Sequence, residues 1–464
     1  MGHMPATLPP ELLHAIAERS GRIALVVGAG CSLEAPTNLR LSTFYAQQAH
    51  HQLVLDGLLN VGDCTDPNDL SAVASALHTK HASQSGLVQR LPRNAFRMAQ
   101  PNSGYLIAAA LLREGVINSI LTLNFDLALS AALGMLSATE VNVVPGPQAT
   151  DQLGAATVIY LHRNVDEADP ERWILTAEAL EHEWEGHWEE VIAHRVLSCP
   201  VVVFAGLGSP AAVLTKTVTR VRDAVDENQH HVFVVDPAAT TDFEAALHLP
   251  DTAHVESGWS NFMEGMAKRL LAELTTELDA AGRELCARHS WDGEADHLAA
   301  LSDRLHNMGV VALGRVRAKW LLDTQQYAPD DSRRPLIADL LLGLGLIERA
   351  ASVEAHFRED GLVELHSGGV ICGRLLLASG SGTLRWSALE ASVLELLGRI
   401  STTVRPEHVL VSGVVGHRPP APAPPENLVM GDVEDDIVLG FQRPRILAVD
   451  EIRSDPSIAE GLVA

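Results

Sequence analysis

What this chain has least of is aromatic rings, basic charge and organised cysteine. Aromatic residues make up 4% of its 464 residues, too few for the stacking platform that single-stranded nucleic acid needs. Lys and Arg number 34 against 59 Asp and Glu, a net charge of −25, so the chain repels a phosphate backbone and is a poor stand-alone nucleic-acid binder. The five cysteines, Cys31, Cys64, Cys199, Cys286 and Cys372, form no C-x-x-C pair. That excludes a zinc ribbon and argues against a disulfide framework. Scattered thiols suit a reducing cytoplasm. No apolar run approaches the ~18 residues of a membrane span, and no basic stretch leads into an apolar core as in a signal peptide. The phosphate loop G-x-x-x-x-G-K-[ST] is also missing, so the chain is not itself an ATPase of that class.

What is present is globular: 47% hydrophobic and 20% charged residues, with length for two or three domains. The opening Met1-Gly2-His3-Met4 reads as a cloning remnant, and residues 1–11 as a tag remnant with an N-terminal extension. Five continuous apolar runs then have the character of strands buried on both faces: residues 22–28, 117–123, 157–161, 200–205 and 231–235. Helical stretches separate them at 127–136, 179–197 and 211–227, and a helix at 259–274 closes the region. Alternation of this kind predicts an α/β fold, a Rossmann-like parallel sheet. Residues 43–113 read as a helical small module inserted after the first strand. A mixed α+β C-terminal domain is expected over 271–464. It has helices at 266–289, 295–325, 335–351 and 386–400, strands at 361–379 and 408–415, and two short strands within 437–452. A stiff Pro-rich linker, 418–425, interrupts it.

The distinctive polar and glycine residues stand at the C-terminal ends of the five strands, where open α/β sheets bind ligands. The first strand ends in Gly28-Ala29-Gly30-Cys31-Ser32, the second in Asn124-Phe125-Asp126, the third in His162. The fourth ends in Gly206-Leu207-Gly208-Ser209 and the fifth in Asp236. Glycines there let backbone approach a pyrophosphate. Taken singly, Asn124 reads as a helix N-cap, His162 as a satisfied core histidine, Asp236 before Pro237 as a turn residue, and Cys31 as a small buried hydrophobe. The acidic run around His182, His187, Glu190 and His194 reads as a solvated helix face rather than a metal site.

As an ordered set, G-A-G-x-S, T-x-N-x-D and the strand-end histidine resemble the sirtuin family, with Trp259 and Phe262 resembling the helix that ends its domain. The likeness spans residues 12–270. It implies Asn124, Asp126 and His162 as catalytic residues. It also implies Gly28, Ala29, Gly30, Ser32, Gly206, Ser209 and Asp236 as contacts to NAD+. Two departures turn it toward the sirtuin-like NAD hydrolases of bacterial antiviral defence: the zinc ribbon is absent, and Arg163 follows the histidine where the family has glycine. The resemblance then implies hydrolysis of NAD+ (as substrate) to nicotinamide and ADP-ribose, without zinc. It implies a regulated oligomer working with a HerA-like ATPase or a prokaryotic Argonaute, and no direct contact with nucleic acid or membrane. An NAD-dependent protein deacylase and a non-enzymatic binder of an NAD-derived nucleotide are the alternatives. Arg163 is expected to pair with a phosphate or a carboxylate.

Overall fold

The computed structural model describes residues 7–181, 187–208, 212–224, 230–238, 242–290, 300, 303–304, 307–313, 322, 334–358, 360–399, 404–416, 418 and 444–462. The chain forms two compact units, Met1–Leu270 and Leu271–Ala464.

In the first unit seven strands make one sheet: β1 (Ile23–Val27), β2 (Ile117–Thr122), β3 (Asn142–Val144), β4 (Thr157–Tyr160), β5 (Val201–Ala205), β6 (His231–Asp236) and β7 (His254–Glu256). They run in the order β3-β4-β2-β1-β5-β6-β7. Every neighbouring pair is parallel. β1 lies at the centre because all five of its residues, Ile23-Ala24-Leu25-Val26-Val27, are buried. The chain places β2, β4 and β3 on one side of β1 and then returns to place β5, β6 and β7 on the other. The C-terminal ends of β1 and β5 therefore flank the point where strand order reverses, the place where open α/β sheets leave a crevice.

Helices cover the sheet. α1 (Pro10–Glu18) precedes β1, with proline at its first turn. Five helices, α2 (Ser42–Leu55), α3 (Leu70–His81), α4 (Ser85–Val88), α5 (Arg93–Arg97) and α6 (Ser103–Arg113), form the module between β1 and β2. Asp69 caps α3 by accepting from the Ser71 N–H at 3.0 Å. Asn102 caps α6 by accepting from the Tyr105 N–H at 3.1 Å. The remaining helices are α7 (Ala128–Met135), α8 (Ala177–Glu181), α9 (Trp188–Leu197), α10 (Ala212–Ala224), α11 (Asp242–Leu247) and α12 (Trp259–His289). The core under α9 and α10 includes Ile192, Val196, Val202, Phe204, Leu214 and Val218.

Three sequence expectations change here. The helix expected over 179–197 is two helices, because His187 is extended (φ −100°, ψ 174°) and starts α9 afresh. Glu190 then pairs with His194 at 3.8 Å and Arg220 at 2.8 Å, while His182 lies outside the described residues. The helices expected at 259–274 and 266–289 are one helix, α12.

The second unit holds a mixed five-stranded sheet built from β8 (Glu354–Phe357), β9 (Leu362–Ser367), β10 (Val370–Arg385), β11 (His408–Val415) and β12 (Arg445–Ala448). β8, β9 and β10 are antiparallel neighbours, whereas β10, β11 and β12 run parallel. Gly368 and Gly369, with φ of 57° and 82°, make the left-handed two-residue turn of the β9–β10 hairpin. The core of this sheet gathers Leu362, Leu376, Leu389, Val393, Val409 and Val411. Of the two strands expected in 437–452, one is β12, and the other falls on residues 437–443, outside the described residues. The segment after β12 is a helix, Val449–Ser454, started by Glu451, which reaches back to the Ala448 N–H at 3.0 Å. Residues 419–443, with most of the Pro-rich linker, lie outside the described residues. Among the described residues no helix is long and apolar enough to cross a membrane.

Candidate functional site

The loops after β1 and β5 touch backbone to backbone. The Gly30 N–H donates to Gly206 O at 2.9 Å and the Gly28 N–H to Ala205 O at 2.9 Å. A Cβ on Gly28 would stand 2.6 Å from Gly206 O, and one on Gly30 would stand 2.6 Å from Gly206 Cα. Gly206 itself has a φ of 65°. The three glycines are thus required by the approach of one loop to the other. That approach uses loop amides: Gly28 and Gly30 donate to protein carbonyls, and the Cys31 N–H donates to Gly28 O at 3.1 Å. The Ala29 N–H, at the first position of the short Ala29–Ser32 helical turn, is one that such a turn leaves free.

Beside these loops lies a cavity of about 240 Å³. Gly28, Ala29, Ser32, Asn124, Asp126 and His162 all line it. It therefore brings together three strand ends that are far apart in sequence. The inserted helical module supplies its other wall, through Tyr45, Leu70, Leu91 and Phe96. Phe125 lines it too, stacked on the buried Trp173 with ring centroids 4.7 Å apart. Gly30 and Gly206 do not line it; they meet each other behind it, where the Gly30 N–H donates to Gly206 O. Asp236 does not reach it: two strands away, its carboxylate accepts from the Ala238 N–H at 2.8 Å, closing its own turn. Ser209 lies outside the described residues.

Asn124 is 8% exposed and its amide orientation follows from its partners. The nitrogen Nδ2 lies 3.0 Å from Gly28 O, 3.1 Å from Tyr105 Oη and 3.3 Å from Ser32 Oγ. A carbonyl can only accept, so the atom facing Gly28 O is the NH₂ group. Its two hydrogens are therefore committed to the protein. Among the described residues nothing donates to Oδ1, so the acceptor is what Asn124 offers the cavity. Thr122 steadies the backbone here, its Oγ1 accepting from the Asn124 N–H at 3.1 Å.

Asp126 holds the loop. Its Oδ1 accepts from the Ala128 N–H at 3.0 Å, at the start of α7, and its Oδ2 accepts from Ser32 Oγ at 2.9 Å. Burial raises its pKa from the ordinary aspartate value, against these hydrogen bonds. The His162 imidazole is partly exposed on the cavity. Burial, followed by the Arg163 charge, pushes its pKa down to about 4. At neutral pH it is uncharged and able to accept a proton. Burial raises the Cys31 pKa, and its thiol contacts Ala205 O at 3.4 Å, so it is a packed hydrophobe rather than a nucleophile.

Arg163 takes the carboxylate of the two partners expected for it. It is 7% exposed and its Nη2 lies 2.7 Å from Glu189 Oε1, while Nη1 donates to Leu161 O at 3.0 Å. Its guanidinium sits 5.5 Å from the Trp188 ring centroid. The residue has a φ of 74°, the left-handed region that glycine adopts freely.

Tyr105 is the site residue that sequence reasoning missed. It is 2% exposed, with its hydroxyl 2.8 Å from Ser32 Oγ and its ring edge-on to Trp259 at 5.8 Å. The chain has four tyrosines, and one standing three residues after a capping asparagine was the available signal. Among the described residues no three His, Cys, Asp or Glu side chains come together as metal ligands.

No protein-family model and no curated protein matches the chain. Solved structures do match. A Sir2 homologue in complex with NAD is 17% identical, covering 58% of this chain and 96% of that one, with a TM-score of 0.35. A mutant Sir2 homologue with 2′-O-acetyl ADP-ribose is 18% identical, covering 57% of this chain and 96% of that one, with a TM-score of 0.35. A further Sir2 homologue mutant with ADP-ribose is 17% identical, covering 58% and 98%, with a TM-score of 0.33.

Proposed function

We propose that the first unit binds NAD+ and hydrolyses its nicotinamide–ribose bond. The observation that carries this reading is the convergence of Ser32, Asn124, Asp126 and His162 on one cavity, beside the reversal point of the sheet. The cavity's 240 Å³ suits a ring and a sugar rather than a whole dinucleotide, since pockets for drug-sized ligands run about 300–1,000 Å³. The rest of the substrate then runs outward over the β1 and β5 loops, with the Ala29 N–H as a phosphate donor.

The chemistry asks little of the protein covalently. Nicotinamide leaves NAD+ as a neutral molecule, taking the electron pair of the C1′–N bond, and an oxocarbenium-like sugar remains. A water oxygen bonds to C1′ and its proton must be taken up. Asn124 Oδ1 is the acceptor that would orient that water or a ribose hydroxyl. The uncharged His162 is the base that would take the proton. Asp126, engaged with Ser32 and Ala128, holds the loop instead.

An enzyme that drains NAD+ needs control, and we assign control and assembly to the second unit. The sequence resemblance extends the proposal to antiphage defence, with a HerA-like ATPase or a prokaryotic Argonaute as the partner. The test is nicotinamide release by the full chain from NAD+, with and without an acetyl-lysine peptide. Release without peptide is the expected result. Asn124→Ala and His162→Ala should each lower it about 10²–10⁴-fold with the thermal transition unchanged. Formation of O-acetyl-ADP-ribose with the peptide would make the protein a deacylase, and binding without release would make it a nucleotide sensor.

A further inference from the structure

We infer that Tyr105 is a positioning residue for the proposed hydrolysis: its phenolic oxygen takes one N–H of Asn124 and passes its own proton to Ser32, leaving Asn124 only its carbonyl to present. The inference rests on the reading of the site as an NAD+ hydrolase, and on a hydrogen-bond chain whose direction can be worked out atom by atom.

The chain starts at the Asp126 carboxyl, whose two oxygens both accept: Oδ1 from the Ala128 N–H and Oδ2 from Ser32 Oγ. Its Oδ2 therefore takes the hydroxyl proton of Ser32, 2.9 Å away. With that proton spent, Ser32 Oγ is an acceptor toward Tyr105, and the 2.8 Å contact between them carries the tyrosine's proton. The lone pairs of the tyrosine oxygen then face Asn124 Nδ2 at 3.1 Å. Gly28 O takes the other amide hydrogen at 3.0 Å. Turning the Asn124 amide over would set its carbonyl oxygen against Gly28 O, which has no proton to give. Tyr105 stays protonated throughout the working range, since burial, and then the Asp126 charge, raise its pKa well above the usual phenol value.

Tyr105 does not itself line the cavity, so it acts through Asn124. Its place is set independently of any ligand. Its N–H is bonded to the Asn102 cap of α6, and Asn102 Nδ2 donates to Cys31 O at 2.8 Å, tying the helix start to the glycine loop. A phenylalanine would fill the same space against Trp259. A hydroxyl brought to a position 2% exposed is disfavoured unless its bonds are made, and here both run to residues lining the cavity.

The experiment uses the full chain with ¹⁵N-labelled asparagine. Side-chain amide exchange of Asn124 is read by NMR, and nicotinamide release gives kcat and KM for NAD+. In Tyr105→Phe one Asn124 N–H should exchange at least about tenfold faster, as it loses its acceptor. The kcat should fall about 10- to 100-fold, the scale of a misplaced reacting group, with KM held within about threefold. Ser32→Ala, which removes the acceptor of the tyrosine proton, should show the same split and serves if Tyr105→Phe does not fold. Unchanged exchange, or a rise in KM with kcat intact, overturns the inference. No nicotinamide release by the unaltered chain overturns the hydrolase reading, and the exchange measurement then still judges whether Tyr105 holds Asn124.

Discussion

The ion pair beside His162 gives the sharpest stability prediction. Arg163 and Glu189 are 9% and 8% exposed at their side chains, with 2.7 Å between Nη2 and Oε1. Glu189→Ala leaves the guanidinium buried with, among the described residues, Leu161 O and the Trp188 ring as partners. Stranding one half of a buried pair costs about 3–5 kcal/mol. In a unit of this size each kcal/mol lowers the melting temperature by about 2–4 °C, so a fall on the order of 10 °C is expected. Arg163→Gly also strands a charge, but it relieves a non-glycine residue held at a φ of 74°, worth about 1–2 kcal/mol. Its net cost should therefore be smaller, about 2–3 kcal/mol. The double variant Arg163→Gly/Glu189→Ala buries neither charge and should be more stable than the sum of the two single effects by at least about 2 kcal/mol. Calorimetry of the four full-length proteins measures this directly. Losses that add to within about 0.5 kcal/mol would show that the two side chains do not depend on each other, and the argument would fail.

Three further expectations follow from the same site. Because the His162 pKa is pushed down to about 4, its imidazole is uncharged above that value, and NAD+ turnover should stay level from pH 8 to pH 5 and fall only near pH 4. An ordinary histidine near 6.5 would already have lost about three quarters of its base form at pH 6, so a decline there would refute the assignment. Arg163→Gly should move the acid limb upward, since the Arg163 charge that helps depress His162 is gone. Gly30→Ala should cost about 1–3 kcal/mol by driving a Cβ to 2.6 Å from Gly206 Cα, and denaturant unfolding with wild-type stability would show that the loops have room to part.

Much of the first unit was legible because its five longer strands are buried on both faces and so read as continuous apolar runs. β3 and β7 were not: each has three residues, too few for any period to register. In the second unit the strand region expected to reach residue 452 runs past the end of β12 at Ala448, since the apolar Val449 and Ile452 continue its pattern. The decisive contact is instead the Glu451 carboxylate folding back on the Ala448 N–H, a capping interaction that apolar pattern does not report. The site residues at strand ends were found because topology alone carries them to one edge. Tyr105 and the destination of Arg163 depend on partners 73 and 26 residues away, and no local pattern encodes those.

The glycine loop and the asparagine therefore carry different weight as evidence of function. Gly28, Gly30 and Gly206 are accounted for by the meeting of two backbones, and the same sequence would be required if nothing ever bound there. Asn124 is not accounted for in that way. A buried amide serves stability best when all its hydrogen-bonding capacity is met. Here Gly28, Tyr105 and Ser32 surround the NH₂ end, and the carbonyl end is left to the cavity. Packing alone gives no reason for so lopsided an arrangement, since a small apolar side chain would close the gap at less cost. An unspent acceptor held rigidly at the end of a parallel strand is what a reaction needs in order to orient a hydroxyl. That asymmetry, rather than the glycine pattern, is the physical ground for placing chemistry at this site.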